Sequence, residues 1–257
     1  MNNFTQTIWV ETLKARRSKM PFLTTLGFML IPLVGGFFMI ILKDPEFARR
    51  AGLISAKAQL MAGTADWPTL LNLLAQAVAI GGIILFGFIG SWVFGREYSD
   101  HTVKDLLALP TSRWMIVLAK FVVVMGWSAA LTAVITILGL GVGTAVGLPP
   151  VSNSIIWQGT ITIAVSAALT ITLVTPIAFF AGAGHGYLPP LGVAILTIFL
   201  AQVIVIAGWG EFFPWAIPVL YAQGSSMGWA SYVIVILTGI IGIGGTLLWW
   251  ELADQTY

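Results

Sequence analysis

Residues 70–94 read LLNLLAQAVAIGGIILFGFIGSWVF, a run of 25 residues without a charged side chain. As an α-helix rising 1.5 Å per residue it reaches roughly 37 Å, more than the ~30 Å hydrocarbon core of a bilayer. Five further apolar runs accompany it: about Pro21 to Leu42, Trp114 to Val146, Ile155 to Ala181, Leu188 to Gly208 and Trp229 to Trp250. The composition agrees. Of 257 residues, 58% are hydrophobic and 9% are charged, with a mean hydropathy of +0.95. A soluble domain carries about 25% charged residues, so this chain cannot cover a water-facing surface. The expected fold class is an all-α polytopic membrane protein with six transmembrane helices, a single transmembrane domain over residues 1–257.

The run from Trp114 to Val146 is longer than one crossing needs. Gly139, Gly141, Gly143 and Gly147 are expected to end its regular helix before a loop at Pro149-Pro150. The first run is not a cleaved signal peptide. It exceeds the roughly 7–15 residues of a signal h-region, and no small-residue cleavage site follows. Lys43-Asp44-Pro45 ends it sharply. Basic residues set the orientation. Lys14, Arg16, Arg17 and Lys19 precede the first span, and Arg96, Lys104, Arg113 and Lys120 lie around the second connection. Both groups fall on one side, read as cytoplasmic, so both termini are expected in the cytoplasm. Lys43, Arg49, Arg50 and Lys57 in the first connection violate this pattern in part.

The chain has no cysteine, hence no disulfide, thiolate metal site or cysteine nucleophile. No H-E-x-x-H, G-x-S-x-G or G-x-x-x-x-G-K-[ST] motif occurs. No catalytic residue, metal site or cofactor is expected on this chain. The net charge of +2 gives no argument for nucleic acid. The cores of the predicted spans hold no Asp, Glu, Lys or Arg, Lys120 being counted with the start of the third. Intramembrane ionisable groups mark proton relays, ion paths and voltage sensors, so those functions are disfavoured. His185, in a glycine-rich connection, reads as a polar loop residue. Work against a gradient would need energy from another chain.

Four segments carry information. Residues 1–20 place Phe4, Ile8, Trp9 and Leu13 at helical spacing, an amphipathic interfacial helix with a basic end. Residues 95–113 gather Arg96, Glu97, Asp100, Lys104, Asp105 and Arg113. Thr102 and Asp105 have the spacing of a capping box, Val103, Leu106 and Leu107 line one face, and Pro110 stops the helix. This short helix either lies flat among headgroups or docks a soluble partner; Glu97, Asp100 and Asp105 favour docking, because lipid-facing helices prefer basic residues. Residues 209–228 are apolar but broken by Pro214 and Pro218, and too short for two crossings. A re-entrant hairpin is the expected solution, because irregular backbone at membrane depth needs protein or a cavity around it. Trp209, Phe212, Phe213, Trp215 and Tyr221 would equally suit an aromatic belt.

The fourth feature is a pair of hydroxyl stripes. Ser128, Thr132 and Thr136 share a face of the third span, and Thr162, Ser166 and Thr170 share a face of the fourth. They either line a polar path or sit at helix–helix contacts, the commoner use of small hydroxyl residues in membranes. Asn72, Gln76, Gln158 and Gln202 suit either role, and Gly139-x-x-x-Gly143-x-x-x-Gly147 suits a close helix contact.

The pattern Glu97-Tyr98-x-x-x-Thr102-x-x-x-Leu106-Leu107-x-Leu109-Pro110-x-Ser112-Arg113, followed by Lys120, resembles that of type-2 ABC exporter permeases. The six-span layout is similar to that of the small permeases of bacitracin and lantibiotic self-protection exporters. His101 stands where the family usually has glycine. The resemblance implies a permease that pairs with a second copy or a related permease, sits among membrane lipid, and docks a separate P-loop ATPase carrying ATP and Mg. Docking would fall to Glu97, Tyr98, Asp100, His101, Thr102, Lys104, Asp105, Leu106, Leu109 and Arg113 in a cytoplasmic coupling helix. The N-terminal helix would be the elbow helix. Ser128, Thr132, Thr136, Thr162, Ser166, Thr170 and Gln202 would line the pathway, and Glu211, Phe212, Phe213, Pro214 and Pro218 would form an outer gate. The function so implied is export of an amphiphilic compound across a bacterial cytoplasmic membrane. Charge reversal of Glu97 with Asp105 is then expected to uncouple ATP hydrolysis from transport while leaving insertion intact. A stand-alone carrier or channel, and a scaffold or sensor recruiting a cytoplasmic partner, are the rival readings.

Overall fold

Helix starts in this chain are built by its polar punctuation. Asp66 accepts the Thr69 N–H at 2.9 Å, and Pro68 fills the first turn, where a missing N–H costs nothing. A 33-residue helix follows. The computed structural model describes residues 3–44, 46, 50, 52, 63–100, 102, 111–184 and 186–252. Its α-helices are α1 (Asn3–Arg16), α2 (Met20–Lys43), α3 (Trp67–Ser99), α4 (Arg113–Ala145), α5 (Asn153–Ala183), α6 (Leu188–Ile206), α7 (Ile217–Ala222) and α8 (Trp229–Leu252). Two single 3-10 turns, Gly210–Phe212 and Pro214–Ala216, precede α7. Helices α2 to α6 and α8 are the six long and apolar enough to cross a membrane, and no strand occurs among the described residues.

The helices alternate in direction, which gives the bundle a near end, with α1 and residues 99–100, 102 and 111–113, and a far end, with residues 63–66, 146–152 and 207–228. Helix α3 packs most extensively on α5, and α5 on α8. Phe28 of α2 stacks on Phe86 of α3 with ring centroids 5.2 Å apart. The outward faces of α2, α6 and α8 are apolar and exposed, with Leu30, Val34, Phe199, Ile206 and Ile241 among them. That is the surface a lipid-facing helix presents.

Gly139, Gly141 and Gly143 do not end the third span, contrary to the expectation above; α4 runs through them to Ala145. A Cβ at Gly139 would strike Leu74, and one at Gly143 would meet Trp67. Their absent side chains let α3 approach, which is the close contact the spacing suggested. The helix stops at Gly147, whose φ of +68° suits glycine. The Leu148 N–H bonds to Gly143 O at 3.1 Å, closing a Schellman turn. Two carbonyls remain, Val146 O and Gly147 O, and Lys43 Nζ at the end of α2 donates to both. Part of the basic charge in the first connection is therefore a helix cap. Arg113 plays the same part at the near end, donating to Trp250 O at 3.1 Å and Glu251 O at 3.2 Å. Pro176 inside α5 cannot bond the Thr172 carbonyl. Thr175 Oγ1 lies 2.9 Å from Thr172 O and from Gly239 O of α8, so one hydroxyl serves the freed carbonyl and the neighbouring helix.

Candidate functional site

At the near end two lysines and two glutamates meet, three of them buried and Lys14 half-buried. Lys120, two turns into α4, has 0% exposure, Glu97 4% and Glu11 5%. Lys120 Nζ donates to Glu11 Oε2, Glu97 Oε1 and Val93 O, each at 3.0 Å. An ammonium has three N–H donors, and all three are used. Lys14 Nζ donates to Glu11 Oε1 at 2.8 Å and Glu97 Oε1 at 3.0 Å. Thr102 Oγ1 donates to Glu97 Oε2 at 2.8 Å, and the Thr102 N–H bonds to Glu97 O at 2.9 Å. The four charges cancel. Burial of ions is tolerated only with such pairing and satisfaction. Burial alone would lower the Lys14 pKa, but the carboxylates of Glu11 and Glu97 outweigh it and hold the amine above its ordinary value. The cluster joins α1, α3, α4 and Thr102, the last described residue before 103–110.

The cluster fixes which side of α1 faces the bundle. Trp9, assigned with Phe4, Ile8 and Leu13 to one apolar face, is 54% exposed, whereas Glu11 and Ala15 are buried. A carboxylate facing a buried lysine outweighs an indole that can rest against apolar surroundings outside. Lys120, counted with the start of the third span, lies buried there in a spanning helix.

At the far end the chain from 209 to 224 stays close to the bundle. Trp215 packs on Ile83, Ile177 and Ala194, and also on Leu173, Ile217 and Val235. Ala216, Ile217 and Pro218 are buried, Phe213 and Pro214 half-buried, and Glu211 and Phe212 exposed. The segment ends in a Schellman turn, with the Ser225 N–H on Leu220 O at 3.0 Å and Gly224 at φ +76°. The Ala222 carbonyl left over receives Asn72 Nδ2 at 2.8 Å.

This arrangement of six spans, a packed N-terminal helix and a broken segment before the last span has known relatives. The profile of the ABC-2 family transporter proteins matches residues 7–201. The chain belongs to that family. It is also 28% identical over 184 residues to the bacitracin transport permease protein BCRB of Bacillus licheniformis, covering 69% of this chain and 87% of that one. The molecule is thus a multi-pass membrane permease of an ABC transporter.

Within the permease, the docking residues named from sequence that are described have different surroundings. Glu97 faces inward. Its reversal would place a third positive charge beside Lys14 and Lys120, so that change acts on the buried cluster as well as on docking. Tyr98 lies edge-on to Trp250, centroids 6.2 Å apart, and Arg113 caps α8. Asp100 is exposed, 3.9 Å from Arg96, whose guanidinium lies over Trp92. His101, Lys104, Asp105, Leu106 and Leu109 lie outside the described residues, as does His185.

The hydroxyl stripes are turned inward. Ser128, Ser166 and Thr170 have 0% exposure and Thr132 has 7%, while Thr136 and Thr162 are half-buried. Thr132, Thr136, Thr162 and Thr170 each donate to the carbonyl four residues earlier. They serve their own helices. Gln202 is exposed on the apolar face of α6. Glu11 and Lys14 escaped the sequence reading as site residues. The signal for them was Lys120, a lone cation in an apolar run that required buried carboxylates near it.

Proposed function

We propose that the permease is the membrane subunit of an ATP-driven exporter, moving an amphiphilic compound outward across a bacterial cytoplasmic membrane. The near end is cytoplasmic in this reading, with both termini there. A separate P-loop ATPase, carrying ATP and Mg, docks on residues 97–110, and a second permease copy or a related permease completes the assembly. Helix α1 is the elbow helix, and residues 209–228 form a re-entrant outer gate containing Glu211, Phe212, Phe213, Pro214 and Pro218. The relative's bacitracin transport supports an amphiphilic, antibiotic-like cargo.

The observation that carries the reading is the buried cluster around Glu97. A docking segment can move helices only if its root is stiff. Thr102 is bonded to a carboxylate that Lys14 and Lys120 hold from two other helices. A push on the segment therefore reaches α1, α3 and α4 together.

Affinity purification in mild detergent, with mass spectrometry of the eluate, tests the reading. A P-loop ATPase recovered in equal stoichiometry is expected. Recovery of the folded permease alone would overturn the docking reading and bring forward a stand-alone carrier. A second test is charge reversal at exposed Asp100 with Asp105. Membrane insertion is expected to remain and transport-coupled ATP hydrolysis to fall.

A further inference from the structure

Three side-chain amides cluster at the far end, and neither the family nor the reading above gives them a role. Asn72 and Gln76 are one helical turn apart on α3 and share a face. Gln76 Nε2 donates to Asn72 Oδ1, and Gln223 Nε2 donates to Gln76 Oε1 at 3.3 Å. Asn72 Nδ2 donates to Ala222 O at 2.8 Å. Ala222 and Gln223 are consecutive, so the bonds close a ring between one face of α3 and the end of α7.

We propose that Asn72, Gln76 and Gln223 form an uncharged latch that positions residues 209–224 and sets how readily the far end of the permease opens. The inference rests on the reading of that segment as the outer gate. Three features suit a latch. First, α7 has only six residues and cannot hold itself in place. Its Schellman turn leaves the Ala222 carbonyl unpaired, and Asn72 supplies the partner. Second, every bond in the ring is amide to carbonyl. Water replaces such a bond at modest cost, unlike a bond between buried ions. Gln223 is already exposed. Third, Asn72 lines a cavity of about 180 Å³ with Pro68, Leu71, Gln158 and Gly159. Its amide has room to swing off Ala222 without forcing its neighbours apart.

The chain has no cysteine, so one introduced thiol is a clean reporter. Ala222→Cys places it at a position with 1% exposure. The rate of labelling by a membrane-impermeant maleimide is measured on cells carrying the full permease. In the Asn72→Leu or Gln76→Leu background labelling is expected to quicken by roughly five- to tenfold, as loss of one net hydrogen bond permits. Asn72→Gln keeps the donor, fits the cavity, and is expected to label at the parent rate. A second reporter, Ala167→Cys on α5 at 3% exposure, should stay unreactive throughout, which separates local opening from unfolding. Parent-rate labelling in both leucine variants would overturn the latch, as would equal acceleration at both reporters. If Ala222→Cys does not insert, Ala216→Cys, also at 1% exposure, carries the same comparison. Labelling seen only after permeabilisation would overturn the outer location of the segment. The relative rates in permeabilised cells would still decide the latch.

Discussion

The near end of the bundle is joined by Lys120, Lys14, Glu11 and Glu97, three of them with no more than 5% exposure. The far end is joined by Asn72, Gln76 and Gln223, which are half-buried or exposed and uncharged. Both junctions tie chain segments distant in sequence, but their failure modes differ. Removing one member of a buried ion network strands a charge, at about 3–5 kcal/mol. Removing one amide bond costs about 1 kcal/mol, because water can take its place. The first junction is therefore whole or broken and suits a part that transmits force. The second can open and reclose, which suits a gate.

Mutation should separate the two ends most strongly at Lys120. Lys120→Met is expected to destabilise the permease by about 3–5 kcal/mol, read as a large drop in thermal midpoint in detergent. Adding Glu97→Gln removes the stranded charge and should recover part of the loss. A single variant as stable as the parent would break the comparison. Lys43→Met, at the far end, removes only the cap on Val146 and Gly147, and about 1 kcal/mol is expected from the same measurement. Asn72→Leu should move the global midpoint by no more than about 1 kcal/mol while still quickening local labelling; a drop as large as that of Lys120→Met would erase the distinction.

Asp66→Ala at the start of α3 removes an N-cap worth about 1 kcal/mol. Its effect should appear above all as faster hydrogen exchange in residues 67–70. The smallest effects are those of pH. Partial burial of Asp66 would raise its pKa, but the Thr64 hydroxyl and the Thr69 N–H and hydroxyl outweigh it and hold the carboxyl below its ordinary 3.8. A lowered folded pKa adds stability above the ordinary value, lost as pH falls through the folded one. Acid unfolding of wild type and Asp66→Ala should thus converge only below about pH 4. Lys14 runs the other way. Its raised pKa contributes fully below 10.5 and is lost only in stronger alkali. A near-end stability that changed between pH 6 and 9 would contradict this.

How legible was all this beforehand? The six spans could be read almost to their ends, because each is a long run of one kind of residue. Leu70 to Phe94 extended to Trp67–Ser99, and Trp229 to Trp250 to Trp229–Leu252. The glycines of α4 were misread because a missing side chain means a break or a close contact depending on what stands opposite, here Leu74 and Trp67. Which side of α1 packs on the bundle was not legible, because the partner of Glu11, Lys120, lies 109 residues away. Glu97 was singled out for docking; its inward direction depends on two lysines from other helices.

The sequence by itself determined that this chain crosses a membrane, how many times, and to which family it belongs. Those properties follow from composition, run length and local motif, which need no knowledge of neighbours. Only the tertiary structure decided which polar residues meet. Glu11 with Lys120, Lys43 with the end of α4, Arg113 with the end of α8, and Asn72 with Ala222 are each separated by 103 residues or more, and so by whole helices. In an apolar medium such groups must find partners, and helix packing alone determines which partner is within reach.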